Sequence, residues 1–230
     1  MTSAGSRRRS LAPALKTVVK RAAAPWLYPK PVSSLQPERL YAYLDALWKR
    51  RELDGAVVEV GCWLGGTAAI ASTMLERTGF PKRYVCVDTF EGFVPEQFDR
   101  DLAHGTPARY RTRFGANSAE VVRRLLAHYG CERVELVQGD IATVADDRLP
   151  DRVSVCLVDV DLEIPVYEAL RRLYPRLVPG GAILVDDCPE GTEWAGSRVA
   201  YARFAAERAL PELYFMDMGV VHAGAPDGAA

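Results

Sequence analysis

The sequence predicts an open, doubly wound α/β domain on a mostly parallel sheet, with a helical extension at its amino-terminal side and a lid inserted part-way along. Three observations predict it. Apolar, β-branched runs of strand length (AVVEVG, RYVCVD, RVELVQGD, VSVCLVDVD, GGAILVDD) alternate with helix-period segments. These runs are almost continuously apolar, as in parallel strands covered on both faces. Several of them end in a carboxylate, at the strand edge where such sheets bind ligands.

The first helix is expected from about Leu35 to Glu52, capped by Ser34, with Pro37 and Glu38 in its first turn. Leu40, Leu44, Leu47 and Trp48 give it one apolar face, and Asp54-Gly55 ends it. AVVEVG is a buried strand stopped by Gly61, and GGTAAIASTMLERTG is the helix after it, closed by Gly79. RYVCVD is the second strand. Residues 91–117 then lose all period and mix Gly, Pro, charge and aromatics, which marks them as a lid. Phe93, Phe98, Tyr110 and Phe114 either cover an organic acceptor or plug this segment onto the core. NSAEVVRRLLAHYG is a helix with an Asn117-x-x-Glu120 capping box and Gly130 at its end. RVELVQGD and VSVCLVDVD are strands. Pro165 opens a helix that Pro175 stops, and GGAILVDD follows a Gly-Gly turn. SRVAYARFAAERA is the last helix, and ELYFMDMGVVHAG is closing strand material. The expected organisation is a basic arm over 1–33, one domain over 34–223 with the lid at about 91–117, and a frayed tail over 224–230.

Composition excludes several classes. Of the 230 residues, 49% are hydrophobic and 26% charged, which argues against disorder and fibrous repeats. No apolar run is long enough to span a membrane. Residues 1–37 hold seven of the 29 Lys/Arg and none of the 30 Asp/Glu, so the remainder carries about −8, and a globally basic nucleic-acid binder is not expected. The arginines near the amino terminus invite a signal-peptide reading, but Lys16, Lys20 and Arg21 interrupt the apolar stretch. Cys62, Cys86, Cys131, Cys156 and Cys188 are odd in number and widely spaced, without C-x-x-C, so neither a disulfide framework nor a zinc site is expected. A reducing cytoplasm is the expected compartment.

Two features carry chemistry. After the first strand, Glu59-Val60-Gly61-Cys62-Trp63-Leu64-Gly65-Gly66-Thr67 forms a glycine-rich loop. It lacks the second glycine of a dinucleotide fingerprint and a Walker lysine. The second strand ends in Asp88, able to accept from both hydroxyls of a ribose. Glu59, inside an apolar strand, needs a partner to offset its burial. The second feature is a set of carboxylates at two later strand ends, Asp159-Val160-Asp161 and Asp186-Asp187. On neighbouring parallel strands these would repel unless a cation lay between them, and hard oxygen donors suit Mg²⁺, Mn²⁺ or Ca²⁺. Helix capping is the alternative use of such aspartates. His104, His128 and His222 show no ligand spacing.

On VVEVGCWLGGTA, VDTFEGF, LVDVDLEIPVYEALRRLYPRLVPGGAILVDD and GSRVAYARF, the chain resembles the macrocin O-methyltransferase family over roughly residues 34–220. The resemblance implies a Rossmann-like class I methyltransferase fold and S-adenosylmethionine as cofactor. An acidic residue before the glycine loop, another at the next strand end, and Gly139-Asp140-Ile141 after the third strand match such enzymes. Glu59, Val60, Gly61, Cys62, Trp63, Gly65, Thr67, Asp88, Thr89, Asp140, Ile141 and Asp159 are the expected cofactor contacts. Asp159, Asp186 and Asp187 are the expected ligands of a divalent cation that holds the acceptor's oxygens. The sequence departs from the family at Leu162-Glu163-Ile164-Pro165, where an aromatic is common, and at QGDIATVADD. A catalytic histidine of the family has no evident counterpart except His104.

The expected reaction is attack of an acceptor hydroxyl on the sulfonium methyl, in a sugar or other small natural product of antibiotic biosynthesis. Asp159, Asp161, Glu163 and His104 are the candidate bases. The rivals are a metal-dependent glycosyltransferase, since D-x-D also binds sugar nucleotides, an N- or C-methyltransferase with the same cofactor site, and a nucleotide-binding protein without chemistry. The expected partners are a small-molecule substrate and further copies of the chain in a homo-oligomer, with no nucleic acid and no membrane insertion.

Overall fold

The computed structural model describes residues 23–223; the expectations for most of the basic arm and for the tail over 224–230 lie outside it. Its core is one seven-stranded sheet of order β3-β2-β1-β4-β5-β7-β6. The strands are β1 (Ala56–Val60), β2 (Tyr84–Asp88), β3 (Glu135–Gln138), β4 (Val153–Val158), β5 (Leu177–Val185), β6 (Leu213–Phe215) and β7 (Met218–His222). The first five pair in parallel, and β7 joins β5 antiparallel. The helices are α1 (Pro37–Lys49), α2 (Gly66–Arg77), α3 (Pro95–Asp101), α4 (Ala119–His128), α5 (Glu163–Leu173) and α6 (Ala195–Glu207). Among the described residues no helix is long and apolar enough to cross a membrane.

Side-chain alternation along each strand feeds two cores. Val57, Cys86, Val155 and Leu157 pack with Tyr43 of α1, Ala68 of α2 and Val122 of α4. Val58, Val60, Val85, Val87 and Cys156 pack on the other face with Val166 and Leu170 of α5 and Phe204 of α6. All five cysteines are buried free thiols.

Three local expectations change. Helix α1 starts at Pro37 with Gln36 as its cap; Ser34 instead donates its hydroxyl to Asp159 Oδ2 at 3.3 Å. Its buried face is Ala42, Tyr43, Ala46 and Leu47. Trp48 is 43% exposed, edge-on to Phe80 and covered by the Arg51 guanidinium. Helix α4 is capped by Ser118, whose Oγ accepts from the Val121 amide, while Asn117 donates its side-chain amide to the Trp63 carbonyl. The closing segment is a hairpin turned by Met216 and Asp217 at φ 49° and 63°, the left-handed pair that suits strand twist in a two-residue turn.

Glu59 occupies the β1 position that faces α1. It is 1% exposed and accepts a hydrogen bond from the Tyr84 hydroxyl, which also contacts the Tyr43 hydroxyl at 2.7 Å. Burial pushes its pKa from 4.5 up to about 8, against the pull of the Tyr84 hydrogen bond. The folded chain therefore holds this proton at neutral pH, while the unfolded chain releases it above about 4.5. The stabilisation is full below the unfolded value and is lost as pH rises through the folded one. In urea melts from pH 5 to 8, Glu59→Gln should gain on the wild type by up to about 1.4 kcal/mol per pH unit. A stability difference that does not change with pH would contradict a protonated Glu59.

Candidate active site

The site is built by register. Val60 of β1 pairs with Val87 of β2 and Val158 of β4, and Val158 pairs with Val185 of β5. Four strands thus end level, and Gly61, Asp88, Asp159 and Asp186 are the next residues on each. The chain runs outward from β1 to β2 and β3 on one side and to β4 and β5 on the other, so β1/β4 is the switch point where a doubly wound sheet opens a crevice. A cleft of about 1170 Å³, mouth included, lies there.

Gly61 is the tightest point of its wall. Its φ is 84°, and a Cβ would stand 1.9 Å from the Asp159 carbonyl oxygen, so only glycine lets the loop pass. Asp88 clamps that loop: its Oδ2 accepts from the amides of Cys62 and Trp63 at 2.8 and 3.0 Å, and its Oδ1 from Phe90 at 2.7 Å. Burial raises its pKa while these three amides lower it. Of the expected cofactor contacts, Val60, Gly61, Trp63, Asp88, Thr89, Asp140, Ile141 and Asp159 line the cleft. Four expected cofactor contacts stand behind it. Glu59 faces the core. The Cys62 side chain is buried with Val57 and Ala68. Gly65 caps α2 with φ 73°, and Thr67 shares a hydrogen bond with Ser33 at 2.8 Å.

On the far side of Asp88, Asp140 Oδ1 accepts from the Ala142 amide and its Oδ2 from the Gln97 side chain at 2.7 Å. Gln97 belongs to α3, so the inserted segment is tied to the cleft rim. That segment is more ordered than its sequence shows, with α3 followed by 3₁₀ turns over Leu102–His104 and Ala108–Tyr110. Phe98 is fully buried against Leu162 and Trp194 and anchors the segment. Phe93 and Phe114 line the cleft with Trp63 and Trp194, their centroids 5.6 Å apart. Arg113 also lines it, lying over the rings of Tyr110, Phe114 and Trp194.

The acidic group differs in membership from the expected set. One carboxylate oxygen each of Asp159, Asp161 and Asp187 lies within 4.8 Å of the others. Asp161 and Asp187 have left-handed backbone, φ 64° and 56°. Arg39 bridges Asp186 and Asp187: its Nη1 donates to Asp186 Oδ1 at 3.0 Å and to Asp187 Oδ1 at 2.8 Å. Burial first, then neighbouring carboxylates, pushes Asp159 and Asp161 far above the usual range. Asp186 rises to about 7, from burial and Asp187, with Arg39 opposing. Crowded, desolvated carboxylates of this kind fit a hard divalent cation.

His104 and Glu163 do not line the cleft. The His104 Nε2 lies 2.8 Å from Glu163 Oε2, and the neighbouring Asp101 accepts from the Glu163 amide at 2.9 Å, capping α5. These residues join the inserted segment to α5. Gln97, Arg39, Arg113 and Asn117 are cleft residues that the sequence reading missed. Only the lid's irregularity pointed toward Gln97 and Arg113.

Sheet order and switch-point cleft define a Rossmann-like, doubly wound α/β domain. The chain belongs to the macrocin-O-methyltransferase family, whose model matches residues 38–221. It is 33% identical over 138 residues to the 8-demethyl-8-(2,3-dimethoxy-alpha-L-rhamnosyl)-tetracenomycin-C 4'-O-methyltransferase of Streptomyces olivaceus, covering 58% of this chain and 52% of that one. It is 30% identical over 143 residues to the demethyldecarbamoylnovobiocin O-methyltransferase of Streptomyces niveus, covering 59% and 54%. The chain thus spans about half the length of the curated relatives it matches. The solved structure of the O-methyltransferase NovP has the same fold, with TM-score 0.69 at 20% identity, covering 93% of this chain and 98% of that one.

The Asp88 clamp is open to direct test. Asp88→Asn removes the negative charge from three amide contacts and should destabilise the fold by about 1.5–3 kcal/mol. Hydrogen exchange at the Cys62 and Trp63 amides should accelerate about tenfold or more. Unchanged exchange at both would show that the loop holds itself without Asp88.

Proposed function

We propose that the protein is an S-adenosylmethionine-dependent, divalent-metal-dependent O-methyltransferase acting on a hydroxyl of a sugar or other small natural product in antibiotic biosynthesis. The observation that carries this reading is the cleft itself: a glycine loop clamped by Asp88 on one side and three converging carboxylates on the other, joined at Gly61 and Asp159. Family membership supports methyl transfer over the sugar-nucleotide reading of D-x-D. The rhamnosyl-bearing acceptor in the name of the Streptomyces olivaceus relative supports a glycosylated acceptor.

The donor supplies an activated methyl on a sulfonium, and a bound cation would supply the charge that orients an acceptor hydroxyl and makes it more acidic. The chain's own residues do the rest. Asp88 and the Gly61–Trp63 turn hold the ribose end, and Asp140, Ile141 and Asn117 border the base. The buried Asn117 Oδ1 has no hydrogen-bond partner, which fits an incoming N–H or O–H donor. Asp159, Asp161 and Asp187 would hold the cation, with Asp186 next to them and Arg39 bridging Asp186 and Asp187. Asp159 and Asp161 stand where His104 and Glu163 do not, within the cleft, to take the acceptor's proton. Phe93, Phe114, Trp63 and Trp194 provide apolar walls that exclude water and stack on a ring. Residues 91–117 serve as the lid over that acceptor, rooted at Phe98 and the His104–Glu163 pair.

With a rhamnosylated tetracenomycin as acceptor, methyl transfer should vanish in EDTA and return with Mg²⁺. Asp187→Ala and Asp161→Asn should lower turnover at least about a hundredfold, as expected for loss of an electrostatic group at the reacting centre. S-adenosylhomocysteine affinity in calorimetry should change far less. Full turnover in chelator would remove the cation from the mechanism. Limited proteolysis should cut within residues 91–117 without ligand and spare them with cofactor and acceptor bound; equal cutting would remove the lid.

A further inference from the structure

Arg39, like Arg113, is a cation in the wall of a cleft rich in carboxylates, and only part of its hydrogen-bonding capacity is used. It stands in the first turn of α1, with its side chain 13% exposed. Nη1 makes both contacts to Asp186 and Asp187. Nε is buried without a hydrogen-bond partner, and Nη2 makes no hydrogen bond or ion pair among the described residues. In a guanidinium the Nε–H and one Nη2–H project side by side along one edge, the fork that meets a carboxylate with two parallel bonds. Nη1 is outside that fork. A role confined to neutralising Asp186 and Asp187 would use Nη1 and leave a desolvated donor unmatched, which costs about 1–3 kcal/mol. The residue is therefore built for a second, anionic partner.

We propose that the free fork of Arg39 receives the α-carboxylate of the cofactor's methionyl group, an inference that rests on the cofactor reading above. The placement supports it. Arg39 lines the same cleft as Ser34, Gly61 and Asp159, at the acidic end, away from the Asp140 and Ile141 border assigned to the base. A methionyl end is zwitterionic and calls for one cationic and one anionic group side by side. Arg39 supplies the first, and Asp159, which the Ser34 hydroxyl orients, supplies the second. Arg39 would then be a specificity-determining residue for the amino-acid end of the cofactor, while its Nη1 stays with Asp186 and Asp187.

The test compares two ligands that share the adenosine thioether and differ in the amino-acid end: S-adenosylhomocysteine and 5′-methylthioadenosine. Titration calorimetry on wild type, Arg39→Gln and Arg39→Lys, at fixed Mg²⁺, reads both affinities. The expected result is that Arg39→Gln weakens S-adenosylhomocysteine roughly 30-fold, the range of a charged hydrogen bond, and leaves 5′-methylthioadenosine within about twofold. Arg39→Lys, which keeps the charge but loses the fork, should fall between, and it serves alone if the glutamine variant does not fold. Equal weakening of both ligands would make Arg39 a support for the cleft rather than a carboxylate receptor, and would overturn the proposal. Unchanged binding of both would assign the fork to an anionic group of the acceptor and would overturn it too. A wild type that binds neither ligand would instead overturn the cofactor reading itself.

Discussion

Parallel strands that end level place whatever follows them in one row. Here the row of Val87, Val60, Val158 and Val185 fixes the row of Asp88, Gly61, Asp159 and Asp186 one step beyond. Residues from four separate stretches of sequence become neighbours because of that register alone. A slip of one residue would turn every side chain of the strand to the opposite face, bury the aspartates in one of the two cores and close the turn at Gly61. The site is therefore a consequence of the packing that fixes the register, with Val57 and Leu157 on one face and Val58, Val60 and Cys156 on the other.

That arrangement concentrates negative charge where water is scarce, and the fold meets this in three different ways. Glu59 escapes by keeping its proton, with Tyr84 as partner in the core. Asp88 stays within reach of three backbone amides that favour its ionised form. Asp159, Asp161 and Asp187 crowd one another instead, and burial with the neighbouring carboxylates pushes Asp159 and Asp161 far above the usual range. Their crowding leaves room for a cation, and Arg39 reaches only Asp187 of the three, together with Asp186 beside them. The same strand-end chemistry thus yields a structural acid, a loop clamp and a candidate metal site, separated by which face each residue takes and what donors it meets.

The sheet was readable because its strands are apolar runs of the right length bounded by glycine and carboxylate, a signal that depends on local sequence. The glycine loop, Asp88 and the aspartate pairs were readable for the same reason. What was not readable depends on contacts between distant segments. Glu59 precedes the glycine loop in sequence, but strand alternation turns it away from the cleft. Asn117 and Ser118 both suit a cap, and the choice fell to Ser118 because the Trp63 carbonyl engages Asn117. Asp161 joins Asp159 and Asp187 in the converging group, and Arg39, which in sequence is one more charge on an amphipathic helix, engages both Asp186 and Asp187. His104 and Glu163 look reactive by type, and the 3₁₀ turn after α3 sets His104 against Glu163 at the start of α5, where the two hold each other. The turn at Met216-Asp217 has none of the Asn-Gly chemistry that announces a tight hairpin.

The most direct measurement is an anomalous difference map from crystals grown with S-adenosylhomocysteine and Mn²⁺. The expected map has one strong peak bounded by the carboxylates of Asp159, Asp161 and Asp187, with the nucleoside in the cleft between Asp88 and Asp140. A cofactor-filled cleft with no manganese at the aspartates, or manganese bound elsewhere, would contradict the pairing of cofactor and cation on which the proposed chemistry stands.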